Sequence, residues 1–467
     1  MTDSPSDDSR QNALATIQTS LRTGFRRYAA MKDAPESRRL ITAFLFGWLA
    51  ARMNLVALVV LSYQIGDGAL GVGGMLAVTL LPGTIFQPIA GTLVDKFPGK
   101  NLLVITYAVL ALVALSYLLL IPFASIWLLY AIRFLSGILS AIDLTAYEVR
   151  LMMLTSREKR GTANAVQAIG FEVGEISGPL LGGAVLAIAG VSTIFVLNAM
   201  VLGFVSYTVW RLPHSVPGAQ RIIEDKDVEA VEETATAGRE GYRWLLRKPE
   251  VVTFLLLTLG SGVIAYGIMT AFVSKALDIG MNEGSIGVFF SAIGAGALVG
   301  GVFAGMGEYS SKRALAITGL AASAGAASIM VFGISGTFLI AVIVLFFYGL
   351  FANIEEIPGL TYFQNRLPET VYGRFFSTCM MAAMFGGFLG SLLVPFLIQR
   401  YGVSFALITT SIPGVLLGII LAIREGGLQL RRPSASAASP AIIAAPLIMS
   451  SDDPVLPEID GLQSDDD

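Results

Sequence analysis

The sequence predicts an all-α membrane protein of twelve transmembrane helices, and three observations carry the prediction. Of 467 residues, 54% are hydrophobic and 14% charged, and the mean hydropathy is +0.71, against roughly 25% charged residues in a soluble domain. The apolar runs are about 20 residues or longer, enough to cross roughly 30 Å of hydrocarbon as helices, whereas a transmembrane barrel shows alternating segments of about ten. Third, Lys and Arg are confined almost entirely to alternate connections between those runs.

Taken in order, the spans are 41–63, 70–94, 100–121, 125–147, 162–187, 193–211, 251–274, 284–306, 313–333, 337–360, 373–398 and 404–423. Residues 1–40 are polar and basic, and the first apolar run is long and lacks a small-residue cleavage pattern, so the first span is expected to stay in the mature chain. With this numbering, 27 of the 31 basic residues fall on one side. Only Lys275 and Arg400 fall on the other, and Arg52 and Arg133 lie within spans. The positive-inside rule then places both termini in the cytoplasm.

Residues 1–40 read as a cytoplasmic tail, in which Ala13 to Tyr28 form either an amphipathic helix, with Arg22, Arg26 and Arg27 on an anionic membrane surface, or a plain solvated tail. Residues 41–211 hold the first six spans and residues 251–424 the last six. Between them, residues 212–250 carry mixed charge and read as a cytoplasmic linker ending in a basic, aromatic surface segment at 241–249. Residues 425–467, rich in Ser, Ala, Pro and Asp, read as a disordered tail. The single cysteine, Cys379, permits no intrachain disulfide, and the single histidine, His214, lies in a polar loop. Neither a metal site nor a cofactor is expected, and histidine-based catalysis inside the membrane is nearly excluded.

A repeat underlies the division into six and six. A shift of 212 residues superposes Gly137 on Gly349, Asp143 on Glu355, Gly161 on Gly373, Gly174 on Gly386, Gly178 on Gly390, and Gly190-Val-Ser192 on Gly402-Val-Ser404. A constant offset with acid matching acid indicates duplicated halves.

The fifth span carries Gly174-Glu-Ile-Ser-Gly-Pro-Leu-Leu-Gly-Gly183. At about 100° per residue, Gly174, Gly178 and Gly182 share a narrow stripe that lets a second helix approach its backbone closely, and Pro179 bends that interface. Glu175 lies roughly 60° and Glu172 roughly 120° from the middle of the stripe, so both carboxylates are expected in a wet or paired environment.

Three stretches together, Gly91-Thr-Leu-Val-Asp95-Lys96-Phe-Pro-Gly-Lys100, Leu129-Tyr-Ala-Ile-Arg133-Phe-Leu-Ser-Gly137 and Gly174 to Gly183, resemble in order and span number the three motifs of the major facilitator superfamily. The resemblance covers residues 40–424 and is closest to twelve-span drug and siderophore exporters. It implies two six-helix bundles related by pseudo-twofold symmetry and rocking about a central site. The third motif matches at all its positions and is associated in that superfamily with antiporters. In the first motif Pro98 replaces the usual glycine and Gly99 a basic residue, although Asp95, Lys96 and Lys100 remain.

Physical arguments give the remaining candidates their roles. Asp95, at the cytoplasmic end of span two, can meet the positive N-terminus of span eleven near Tyr372 to Arg374 in one state and leave it in the other, unless it is a solvated loop charge. Arg133 is about eight residues, roughly 12 Å, below the outer end of span four, and needs a partner or water. Arg52, with Asn54 nearby, and Glu172 lie near the midplane; depth alone makes Arg52 and Glu172 possible partners, and the alternative is a structural ion pair. Asp143 and Glu355, with Asn353 and Glu356 beside the latter, fall in the cytoplasmic third of spans four and ten, where the two acids would face each other as proton carriers, the alternative being hydrated gate residues. Proton-coupling candidates are therefore Glu172, Asp143, Glu355, Glu175 and Glu356, with Glu172 foremost. Met269, Met380, Met381 and Met384 either line a plastic binding surface or pack toward lipid.

The reading is a proton-coupled exporter of an amphipathic small molecule such as a drug, siderophore or secondary metabolite, not an enzyme. It works as a monomer in the cell membrane, with the substrate, protons and the bilayer as partners and no nucleic acid. The alternatives are an importer or facilitator of a small solute, and a membrane receptor that does not transport.

Overall fold

A computed structural model describes residues 35–86, 93–94, 97, 99–155, 160–213, 247–305, 313–367 and 369–425. The N-terminal tail, most of the linker, the tail after 425, and Gly91, Asp95 and Lys96 lie outside the described residues. The described chain is helical: α1 Pro35–Ile65, α2 Ala69–Ile85, α3 Gly99–Ser116, α4 Ile126–Leu154, α5 Arg160–Trp210, α6 Pro249–Asp278, α7 Ile286–Gly305, α8 Arg313–Ile334, α9 Phe338–Gln364, α10 Glu369–Tyr401 and α11 Val403–Ile420. Among them ten helical stretches are long and apolar enough to cross a membrane, and Ala69–Pro82 is a shorter apolar helix.

The element ends follow local chemistry. Helix α1 is described from Pro35, six residues ahead of the apolar run, with Glu36 in its first described turn. The second helix stops at Ile85, short of the expected 70–94, with Pro82 inside its last turn. Helix α3 runs through a 3₁₀ turn at Tyr117–Leu119 and a single α-turn at Leu120–Phe123, and ends on left-handed Ala124. Ser125 Oγ then caps α4 by accepting from the Leu128 amide at 3.4 Å. Thr337, 212 residues on, caps α9 in the same way through the Ile340 amide at 3.5 Å.

The fifth and sixth expected spans form one run, α5, broken at Gly190, where φ is 76° and ψ 176°. That region of backbone space is open essentially to glycine alone. Its repeat mate Gly402 has φ 87° and ψ 166° and separates α10 from α11. The glycine matches carry the same packing in each half. A β-carbon on Gly137 would strike Pro82 of α2, and one on Gly349 would strike the Ile293 carbonyl of α7. Gly174 and Gly178 abut α1, while Gly386 and Gly390 abut α6.

Helix α5 packs along α1, α10 along α6, and α9 against α7 and α8. Two contacts join residues before and after the 214–246 segment most extensively: α2 with α10, and α5 with α7. A large core cluster crosses that division, bringing Val56 to Leu61 of α1 and Val72, Met75 and Leu76 of α2 together with Phe272 of α6 and Phe289 and Phe290 of α7. Large apolar side chains such as Trp127, Ile188, Met200, Leu339 and Phe396 remain exposed on the outside, the surface that a bilayer solvates. The molecule is a multi-pass membrane protein.

Candidate functional site

The glycine stripe of α5 lies on α1. A β-carbon at Gly174 would come within 2.7 Å of Trp48 Cδ1, one at Gly178 within 2.5 Å of Arg52 Cβ, and one at Gly182 within 2.9 Å of the Met53 carbonyl. Gly183 looks the other way, where its β-carbon would meet the Gly284 carbonyl at 2.7 Å. The motif thus serves two interfaces: α1 within the first half and α7 across the division. Glu175, at the edge of the stripe, reaches the same neighbour, with Arg52 Nε 2.8 Å from its Oε1. Arg52 also lies over the Trp48 ring at 4.2 Å, a cation–π contact that favours the guanidinium further. Arg52 is therefore engaged by Glu175; the side chain of Glu172 lies outside the described residues.

Arg52 opens onto a cavity of about 370 Å³ that gathers four of the polar candidates. Arg52 and Asn54 of α1, Thr79 of α2, Tyr107 and Tyr117, Arg133 and Asp143 of α4, and Asn198 of α5 line it, with Tyr266 and Met269 of α6 contributed from the second half. Arg133 Nε donates to Thr79 Oγ1 at 3.1 Å, and that hydroxyl donates in turn to the Met75 carbonyl at 2.7 Å. The Asp143 carboxyl hydrogen-bonds the Tyr107 hydroxyl, but its Oδ1 has no partner among the described residues. Leu55, Leu76, Leu110 and Val113 fill the rest of the wall. The result is an apolar chamber with a few convergent polar groups, the usual make-up of a small-molecule site.

Glu355 and Glu356 line a separate cavity of about 240 Å³ in the second half, with Ser261, Tyr266, Tyr348, Cys379 and Met380. Ser261 Oγ donates to Glu355 Oε1. Asp143 and Glu355, paired by the repeat, thus occupy two chambers rather than facing each other across one. Tyr266 borders both. Asn353 is used elsewhere, its Nδ2 donating to the Ala297 carbonyl of α7 at 2.6 Å. Met381 and Met384 line a third, almost wholly apolar groove of about 580 Å³ with Leu80, Leu81 and Leu256.

The two halves are bonded together at one end. Gln64 Nε2 donates to Glu283 Oε2 at 2.6 Å, Gln399 Nε2 to Asp67 Oδ2 at 3.1 Å, and Ser274 Oγ to Tyr63 Oη at 3.4 Å. Just below, the backbones touch. A β-carbon on Gly73 would overlap the Ser391 carbonyl, and one on Gly287 would sit 2.5 Å from the Pro179 carbonyl. Ser291 Oγ donates to the Ile176 carbonyl at 2.8 Å. All of these lie toward the C-terminal ends of α1, α6 and α10. At the opposite end Lys100 is buried at the start of α3, and the expected contact of Asp95 with the N-terminus of span eleven lies outside the described residues.

Trp48, Tyr107, Tyr117, Asn198, Ser261 and Tyr266 belong to these chambers and were not singled out from the sequence. Asn198 carried a signal, as an amide in the middle of an apolar run; serine and tyrosine are too common in such runs to stand out.

A model of the Major Facilitator Superfamily matches residues 40–391. The chain belongs to that superfamily. It is therefore a membrane transporter rather than an enzyme, in keeping with the order of the three motifs. The chain is similar to a protein named "Enterobactin exporter EntS" from Shigella dysenteriae serotype 1 (strain Sd197), with 24% identity over 333 residues, 68% of this chain and 77% of the relative. Among solved structures it resembles a bacterial homolog of the human lysosomal transporter Spinster in an inward-facing, occupied conformation (TM-score 0.65, 11% identity, 84% of this chain and 96% of that one). It also resembles the nucleoside transporter NupG (TM-score 0.64, 13% identity, 83% and 98%). At these identities the structures establish the fold of the transporter family and nothing about cargo.

Proposed function

We propose that this superfamily member is a proton-coupled exporter that moves an amphipathic small molecule out of the cell by alternating access. One observation carries the reading: a mixed polar and apolar chamber, walled by the first half and completed by Tyr266 and Met269 of the second, lies beneath an end where the halves are bonded shut. A site walled by both halves changes its exposure when they rock, and while one end is closed the site is reached only from the opposite end. The distribution of basic residues supports a closed end outside the cell and both termini in the cytoplasm. Counting the two arms of α5 separately and including α2 gives twelve spans, six in each half, and the matched breaks at Gly190 and Gly402 support a pseudo-twofold relation.

Export is favoured over import by the complete glycine–proline motif and by the exporter name of the similar Shigella protein. Protons are assigned to membrane carboxylates whose surroundings change as the halves move. Glu355 with Glu356, Asp143 with Tyr107, Glu175 with Arg52, and Glu172 are the candidates. The protein acts as a monomer, since each chain contains both halves of the chamber. The test is an efflux screen in a strain lacking the gene, with enterobactin as the first compound. Retention of a compound in that strain, reversed by restoring the gene, is the expected result. Reduced uptake would establish an importer, and no change with any compound would favour a receptor.

A further inference from the structure

Arg133 is a chamber charge without a carboxylate partner among the described residues. It projects into the first chamber from α4, seven residues beyond Ile126, about 10 Å along the helix. Its one hydrogen bond among the described residues uses Nε and ends on the neutral Thr79 hydroxyl. No described carboxylate lies within 4 Å of it, and Glu175 is taken by Arg52. Asp143, the nearer of the two acids on the same helix, is ten residues further, about 15 Å along the axis.

The surroundings are unsatisfied in the same place. Asn54, Asn198 and Tyr117 line the chamber, are 6%, 6% and 2% exposed, and each has a side-chain oxygen without a partner among the described residues. They arrive from three separate elements, α1, α5 and the turn after α3. Buried polar groups are ordinarily paired, and an unpaired charge among apolar walls is costly to keep. A guanidinium with its fork free, in a chamber that also holds groups able to give or accept hydrogen bonds, is the complement of a planar oxyanion.

We propose that this part of the chamber is an oxyanion subsite: Arg133 holds the carboxylate of an amphipathic substrate through its free fork. Asn54, Asn198 and Tyr117 take its neutral polar groups, and Leu55, Leu76, Val113 and Met269 take its carbon skeleton. The substrate class is an acidic amphiphile. This assignment rests on the chamber being the substrate site.

The test uses purified full-length protein in detergent and two fluorescent probes of nearly equal shape, dansylglycine and its neutral amide. Dansylglycine is expected to bind at least about tenfold more tightly, the weight of one charge-assisted pair. In Arg133→Gln, checked for an unchanged melting temperature, the two probes should bind within about twofold of each other. Energy transfer from tryptophan to saturating dansylglycine should fall most in Trp48→Phe, because Trp48 lines the chamber. Equal binding of acid and amide by the unaltered protein overturns the proposal, as does a preference that survives in folded Arg133→Gln. Should Arg133→Gln not fold, the transfer measurement decides: a signal indifferent to Trp48→Phe places the acid elsewhere and overturns it. No gradient enters these readouts. Acid preference without proton-driven transport would therefore sink the exporter reading and leave the subsite standing; driven export without acid preference would do the reverse.

Discussion

Gly287→Val is expected to open the closed end of the transporter. A β-carbon at Gly287 would lie 2.5 Å from the Pro179 carbonyl and 2.8 Å from Gly183 Cα, both backbone atoms of α5 that cannot swing aside. Overpacking of this kind costs about 1–3 kcal/mol, and it is paid only while the two helices touch. The equilibrium between closed and open ends should therefore shift by about 5- to 150-fold. The assay is the labelling rate of Ser274→Cys by a membrane-impermeant maleimide, in a chain with Cys379 replaced. Ser274 is bonded to Tyr63 across the closed end, so a cysteine there reacts only when the halves separate. Labelling should accelerate at least about fivefold in Gly287→Val. Gly203→Val, where an added β-carbon meets nothing within 4 Å, should leave the rate unchanged. An unaltered rate in well-folded Gly287→Val would refute the idea that α5 and α7 part during transport.

Three further outcomes follow from the geometry. Gly178→Leu forces a side chain into Arg52 and the Leu49 carbonyl and should abolish transport while membrane insertion, read by fractionation, stays normal; normal transport would mean that α1 and α5 need not pack closely. Arg52→Ala and Glu175→Gln should each cut transport, with the double variant no worse than the poorer single one. Because those side chains are 27% and 37% exposed, the pair contributes on the order of 1 kcal/mol or less to stability, so melting temperatures should barely move; additive losses in transport would show that the two act separately. Glu172→Gln, which mimics the protonated acid, should lose pH-driven transport and keep substrate binding in equilibrium dialysis; full driven transport would pass the coupling role to Glu355 or Asp143.

Much of the fold was legible because a bilayer demands long apolar helices and marks their ends with charge. The break at Gly190 could be anticipated from its mate Gly402, since a repeat preserves backbone conformation as well as residue type. The close approach at Gly174, Gly178 and Gly182 was legible too, though not the identity of the neighbour. Helical periodicity gives a direction around one axis and says nothing about which helix stands there. For the same reason depth alone suggested Glu172 as a partner for Arg52; among the described side chains Glu175, about 60° nearer the stripe, is the carboxylate that meets it. The repeat suggested a facing pair of acids at Asp143 and Glu355. Symmetry fixes equal positions in two halves, but separation depends on what fills the space between, and here each acid has its own chamber and its own hydroxyl partner. Tyr266 was invisible to any one-helix argument because its importance comes from bordering both chambers. The second, outward-looking face of the glycine motif, Gly183 against Gly284 and Gly287, was hidden likewise.

In the proposed cycle substrate exchanges for protons across a site shared by two halves. The most direct measurement is proton movement in liposomes containing the purified protein and an internal pH dye, started by adding the compound that the efflux screen identifies. The compound is expected to move in one direction and protons in the other, in a fixed ratio, and an imposed pH gradient to drive the compound uphill. Movement of the compound with no proton movement, or with protons travelling alongside it, would rule out a proton-driven antiporter.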